Sequence, residues 1–128
     1  DALSQCVEHA AKHGIFIGVE NHGNLTPSQL LAIMKRIDSP WIGINLDTGN
    51  FHSDTPYEDL EKCIEFTVNV QVKVSMKTPQ GKKYPADMKR IGKILKDGNY
   101  QGYVILEYED ESPYKRIPGA LAELKQAL

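Results

Sequence analysis

The chain has 128 residues, with 15 Lys and Arg against 17 Asp and Glu for a formal net charge of −2, and 41% of it is hydrophobic, a composition that describes one ordinary globular domain. It has no continuous apolar run of the ~18 residues a membrane helix needs, and its near-neutral balance argues against a dedicated nucleic-acid binder. Neither membrane nor nucleic acid is expected as a partner, and the expected location is cytoplasmic.

The apolar residues Leu3, Cys6, Val7, Ala10 and Ala11 recur at the spacing of an amphipathic helix, and Gly14 supplies its stop. A short β-branched run at 15–19 reads as a strand covered on both faces. Thr26-Pro27 then reads as N-cap and first helical position, with Leu30, Ile33, Met34 and Ile37 on one face. The pattern repeats three times. Residues 41–46 form a strand and Thr55-Pro56 opens a helix through Tyr57, Leu60 and Ile64; 68–74 is a strand, followed by a helix carrying Met88, Ile91 and Leu95 that stops near Gly98; 103–108 is a strand, followed by a helix carrying Ile117, Leu121, Leu124 and Leu128. Cys6 and Cys63 both fall in helical segments, without the Cys or His spacing of a zinc site, and are expected buried and reduced. His9 and His13, one turn apart on the first helix, read as a solvated face. Lys77, Lys82, Lys83, Lys89, Arg90, Lys93 and Lys96 read as a solvated loop and helix.

Strict alternation of strand and helix implies a parallel sheet with right-handed crossovers, either doubly wound or part of a barrel. No glycine-rich phosphate loop follows any strand, which favours the barrel. At or near its C-terminal end each strand delivers one polar side chain, namely Glu20, Asp47, Gln71 and Glu107. In a (β/α) barrel these converge on the C-terminal mouth, where active sites lie. In the third strand Val68, Val70, Val72 and Val74 alternate with Asn69, Gln71 and Lys73, so the valines should face the helices and the polar groups the lumen. Three carboxylates and an amide oxygen form a hard donor set suited to Mg²⁺ or Mn²⁺, with Co²⁺ or Zn²⁺ as further possibilities.

The segments GVENH at 18–22, INLDTGNFH at 44–52, VNVQVKV at 68–74 and GYVILEYE at 102–109 resemble the last four strands of the sugar phosphate isomerase/epimerase family, the xylose isomerase-like TIM barrels. The resemblance implies Glu20 and Glu107 as metal ligands and acid/base pair, and Asp47 as a metal ligand. It also exposes two departures. Gln71 stands where the family carries a metal-binding histidine, and Asn50 where it often carries a substrate-binding one. His22, two residues past Glu20, and Lys73 inside the barrel are further substrate-binding candidates, Lys73 either polarising a carbonyl or pairing with a site carboxylate.

A complete barrel takes ~250 residues, so the whole 1–128 stretch reads as one partial domain, the C-terminal half of a (β/α)8 barrel with four parallel strands. Such a half needs the N-terminal half or a second copy of itself. The chain also lacks an initiator Met and a signal peptide and opens on a helix without the strand that should precede it, so a fragment is expected. The expected activity is that of a metal-dependent sugar (phosphate) isomerase or epimerase acting on a sugar or keto-sugar. A lyase such as a dehydroshikimate-type dehydratase, an endonuclease resembling the apurinic-site family, and a non-catalytic sugar-binding relative with a degenerate metal site are the alternatives.

Overall fold

The computed structural model describes residues 2–23 and 25–128; Asp1, expected at the start of the first helix, lies outside them. Five helices alternate with four long strands: α1 (Ala2–Lys12), β1 (Ile17–Glu20), α2 (Pro27–Ile37), β2 (Ile42–Asp47), α3 (Pro56–Cys63), β3 (Thr67–Lys73), α4 (Met88–Asp97), β6 (Tyr103–Glu107) and α5 (Pro113–Ala127). Between β3 and α4 lies a hairpin of β4 (Ser75–Lys77) and β5 (Lys83–Pro85), and a 3₁₀ turn (Ile64–Phe66) joins α3 to β3. The long strands form one sheet in the order β1-β2-β3-β6, every neighbour pair parallel. This is half of the expected barrel wall.

Local chemistry sets the boundaries. Thr26 accepts from the Gln29 amide at 3.3 Å while Gln29 Oε1 accepts from the Thr26 amide at 2.9 Å, a reciprocal cap that contributes about 1 kcal/mol to starting α2. Thr55 makes no such bond, and α3 ends at Cys63, one residue short of the expected Ile64.

The core lies between the sheet and its helices. Leu30, Ile44, Leu46, Leu60, Val70 and Val72 are fully buried there, each removing enough apolar surface to contribute about 1.5–3 kcal/mol. The alternation in β3 holds with one correction. Thr67 pairs with Ile44 and Asn69 with Asn45, so Val68 is an extra, unpaired residue. This bulge turns Val68 away from the helices, and its side chain lies against Gly18 and Gly43 on the concave face.

Three further expectations are corrected. Ile15 and Phe16 are 57% and 58% exposed and precede the strand, while Ile17 and Val19 are half-buried, because β1 has a single neighbour and one face of this sheet edge is open. Cys6 is exposed, since Val7 and Ala10 are the residues α1 turns to the core; Cys63 is buried as expected. The lysine-rich segment is not all loop and helix. Met76, fully buried in β4, anchors the hairpin, and Lys83 is tied to Asp110 at 2.9 Å.

Candidate active site

Parallel register brings the strand ends together. Asp47 pairs with Gln71, Lys73 with Glu107, and Glu20 with Asn45, and because side chains alternate along each strand these residues all project from the concave face. Asp47 is at the centre and wholly buried. Its Oδ1 accepts from the Gly49 amide at 2.8 Å, and its Oδ2 accepts from Asn50 Nδ2 at 2.9 Å and lies 3.1 Å from Lys73 Nζ. The two protons of Asn50 Nδ2 bridge Asp47 and Glu20, the latter at 3.1 Å, while Asn50 Oδ1 accepts from Lys73 at 3.3 Å.

Glu107 enters from the other side. It accepts from Gln71 Nε2 at 2.8 Å and lies 3.5 Å from Lys73 Nζ. Gln71 in turn accepts from Asn45, and Asn45 accepts from Asn69 at 2.7 Å. A relay of three amides thus crosses the sheet and ends on the Glu107 carboxylate, each bond polarising the next.

Glu20, Asp47, Asn50, Gln71, Lys73 and Glu107 therefore form one connected cluster. His22 does not join it; it is exposed and makes no hydrogen bond to the described cluster residues. Lys73 takes the ion-pair alternative, and its partners include Glu109, at 3.1 Å, a residue that no local sequence pattern marks. Asn21 is likewise unmarked. It is completely buried and clasps the Asp47 backbone, accepting from its amide at 2.7 Å and donating to its carbonyl at 2.8 Å. Thr48 accepts from the Lys73 amide at 3.0 Å, tying the end of β3 to that of β2. An Asn or Thr beside a strand-end acid was the only available signal, and short polar residues after strands are too common to single out.

The electrostatics follow from burial and count. Burial pushes the Asp47 carboxyl up to about 6, with Gly49 and Lys73 pulling against it and Glu107 pushing the same way. Burial lowers the Lys73 ammonium, but the hydrogen bonds it donates to Glu109 and Asp47 more than offset this and hold it above its ordinary value. His52 is held below its ordinary value by burial and by Lys77 and Lys73. Three carboxylates, those of Asp47, Glu107 and Glu109, share the one ammonium of Lys73.

This donor set fits a hard divalent ion: the carboxylates of Glu20, Asp47 and Glu107 are oxygen donors with excess negative charge, and Gln71 Oε1 keeps a second lone pair beyond the one Asn45 uses. In the arrangement described, no three acidic, imidazole or thiol groups among the described residues are gathered to hold an ion. The Asn50 amide stands between Glu20 and Asp47, and the Lys73 ammonium between Asp47 and Glu107.

Residues 1–127 match the family model for the xylose isomerase-like TIM barrel. The chain belongs to that family. A relative from Methanocaldococcus jannaschii, an uncharacterized protein, is 33% identical over 124 residues, covering 90% of this chain and 39% of its own length. A 3-oxo-isoapionate decarboxylase of Pectobacterium atrosepticum is 33% identical over 75 residues, 56% of this chain and 27% of its own. The fold is shared with a xylose isomerase domain protein from Planctomyces limnophilus (TM-score 0.78, 21% identity, 98% of this chain and 49% of that one). It is also shared with a 3-keto-D-glucoside 4-epimerase from E. coli (TM-score 0.76, 20% identity, 98% and 51%). This chain thus spans about half, or less, of the length of each of these proteins. No helix among the described residues is long and apolar enough to cross a membrane.

Proposed function

We propose that the protein to which this chain belongs is a divalent-metal-dependent sugar (phosphate) isomerase or epimerase that moves a proton on the carbon alpha to a carbonyl. The observation that carries this is the placement of Glu20 and Glu107 on the two outer strands of the sheet, β1 and β6, either side of the buried Asp47. Two carboxylates flanking one centre suit a reaction in which one removes a proton and the other returns it. Membership of the xylose isomerase-like family and a fold shared with sugar epimerases support the same class.

In this reading Glu20, Asp47, Gln71 and Glu107 hold the metal, whose contribution is to stabilise negative charge on the substrate carbonyl oxygen. One glutamate takes the proton from carbon, and the electron pair moves onto the carbonyl oxygen. The other glutamate, in its acid form, returns a proton, to the opposite face of the same carbon for an epimerase, or to its neighbour for an isomerase, in which case the hydroxyl proton of the first carbon passes to the former carbonyl oxygen. Asn50 and Lys73 offer N–H groups to the substrate oxygens, and His22, on the loop after β1, contacts the distal part of a sugar or keto-sugar. A lyase on the same scaffold is a second reading, supported by the likeness to the decarboxylase, since loss of a carboxyl group beside a carbonyl leaves the same electron pair to be stabilised.

The test is exchange of carbon-bound hydrogen in deuterated water, with the full-length protein, Mn²⁺ and a panel of keto-sugars. Glu20→Gln and Glu107→Gln should each lose exchange by about 10²–10⁴-fold. Full exchange in either variant overturns the two-glutamate mechanism; carbon dioxide release from a 3-oxo acid without exchange on keto-sugars moves the assignment to the lyase.

A further inference from the structure

The centre of the carboxylate cluster already holds a cation. Lys73 Nζ lies 3.1 Å from Asp47 Oδ2, 3.1 Å from Glu109 Oε2, 3.5 Å from Glu107 Oε1 and 3.3 Å from Asn50 Oδ1. An ammonium has three protons to share among these four acceptors, so one is always poorly served. We infer that Lys73 and a divalent ion compete for Asp47 and Glu107, and that Glu109 is the seat to which Lys73 withdraws when the ion enters. This rests on the metal reading above.

Three observations carry it. First, Asp47 and Glu107 belong both to the oxygen set that suits an ion and to the partners of Lys73. Two cations a few ångströms apart repel strongly in a partly buried site, so they cannot share the same carboxylate edge. Second, Glu109 is the cluster carboxylate outside that oxygen set, lying two residues beyond the end of β6 with a half-exposed side chain. It can keep the ammonium paired while the others turn to the ion. Third, Gly49 leaves the Lys73 stem room beside β2, since an added Cβ there would lie 2.8 Å from Lys73 Cδ and 3.0 Å from the Ser75 carbonyl.

The exchange keeps the buried Asp47 compensated throughout. Without an ion, Lys73 prevents its repulsion from Glu107; with one, the ion does so and Lys73 pairs at the rim. Lys73 is in this sense a positioning residue for the empty site and sets how tightly the ion is held.

The experiment is calorimetric titration of the full-length protein with Mn²⁺ alone, for wild type, Lys73→Met and Glu109→Gln, with the Lys73 ¹³Cε resonance followed during a parallel Mg²⁺ titration. Lys73→Met should bind Mn²⁺ about tenfold more tightly or better, because a competing charge is gone. Glu109→Gln should bind more weakly, because Lys73 has lost its second seat, and the wild-type Lys73 resonance should move along the Mg²⁺ binding isotherm. Should Lys73→Met fail to fold, the Glu109→Gln and resonance measurements decide alone. Unchanged or weaker binding by a folded Lys73→Met, or a Lys73 resonance unmoved at saturating Mg²⁺, overturns the exchange. Absence of Mn²⁺ binding in wild type and both variants overturns the exchange and the metal reading together, whereas the expected binding pattern without hydrogen exchange on any keto-sugar overturns only the isomerase assignment.

Discussion

Asn21 and Asp47 are joined by two hydrogen bonds in opposite senses, the Asn21 side chain accepting from the Asp47 amide at 2.7 Å and donating to its carbonyl at 2.8 Å. The clasp takes over where the β1–β2 ladder ends at Glu20 and Asn45, and so fixes the position of Asp47 relative to Glu20. Asn21→Ala leaves the Asp47 amide unpaired in a buried place and its carbonyl with only the long 3.5 Å bond from the Asn50 amide. The expected cost is about 2–4 kcal/mol, from two polar groups at ~1–3 kcal/mol each with partial relief by water, read as a lower urea midpoint with unchanged slope. Asn21→Asp keeps the acceptor but adds charge beside Asp47 and should be no better tolerated. A midpoint within error of wild type for Asn21→Ala would remove the clasp from the account.

The two thiols should behave oppositely. Cys6 is exposed, and Cys63 is buried, with burial pushing its thiol up to about 11. In the native protein at pH 8 a thiol reagent is expected to modify Cys6 rapidly, while Cys63 reacts only after unfolding. The sign of the pH effect follows from the same shift. The folded pKa is raised above the ordinary 9.0, so the stability due to the neutral buried thiol is intact below pH 9 and is lost as pH rises through 11. Mass spectrometry of briefly alkylated native protein, showing equal labelling at both cysteines, would contradict the assigned burial.

The 128-residue chain on its own should self-associate. Both β1 and β6 are edge strands of the sheet, and Phe16, Tyr103 and Ile105 are 58%, 83% and 50% exposed. A 980 Å³ hollow lined in part by Phe16, Val68 and Tyr103 opens on the concave face. Unpaired backbone edges next to apolar surface favour intermolecular pairing. Light scattering at micromolar concentration should report oligomers, and a cooperative monomer there would show that the half-barrel closes its own surface.

What was legible in the sequence is what depends on neighbours along the chain. Helical spacing in α2 and α4, the Thr26 cap, and the period-two alternation at Val70, Gln71, Val72 and Lys73 are local patterns, and the alternation of strand and helix that follows from them carries the parallel order of the sheet. Glu20, Asp47, Gln71 and Glu107 could be marked because strand ends are recognisable, and parallel pairing brings the ends of neighbouring strands together. Tertiary structure alone decided the rest. The Val68 bulge depends on how β3 registers against β2, the openness of β1 on its lack of a second neighbour, and the exposure of Cys6 on a rotation of α1 that the stripe of apolar residues left open by one position. Asn21, Glu109 and the place of Lys73 among the carboxylates were hidden for the same reason: a hydrogen bond or ion pair across 26 or 36 residues is set by a few ångströms of packing, and no periodicity records it.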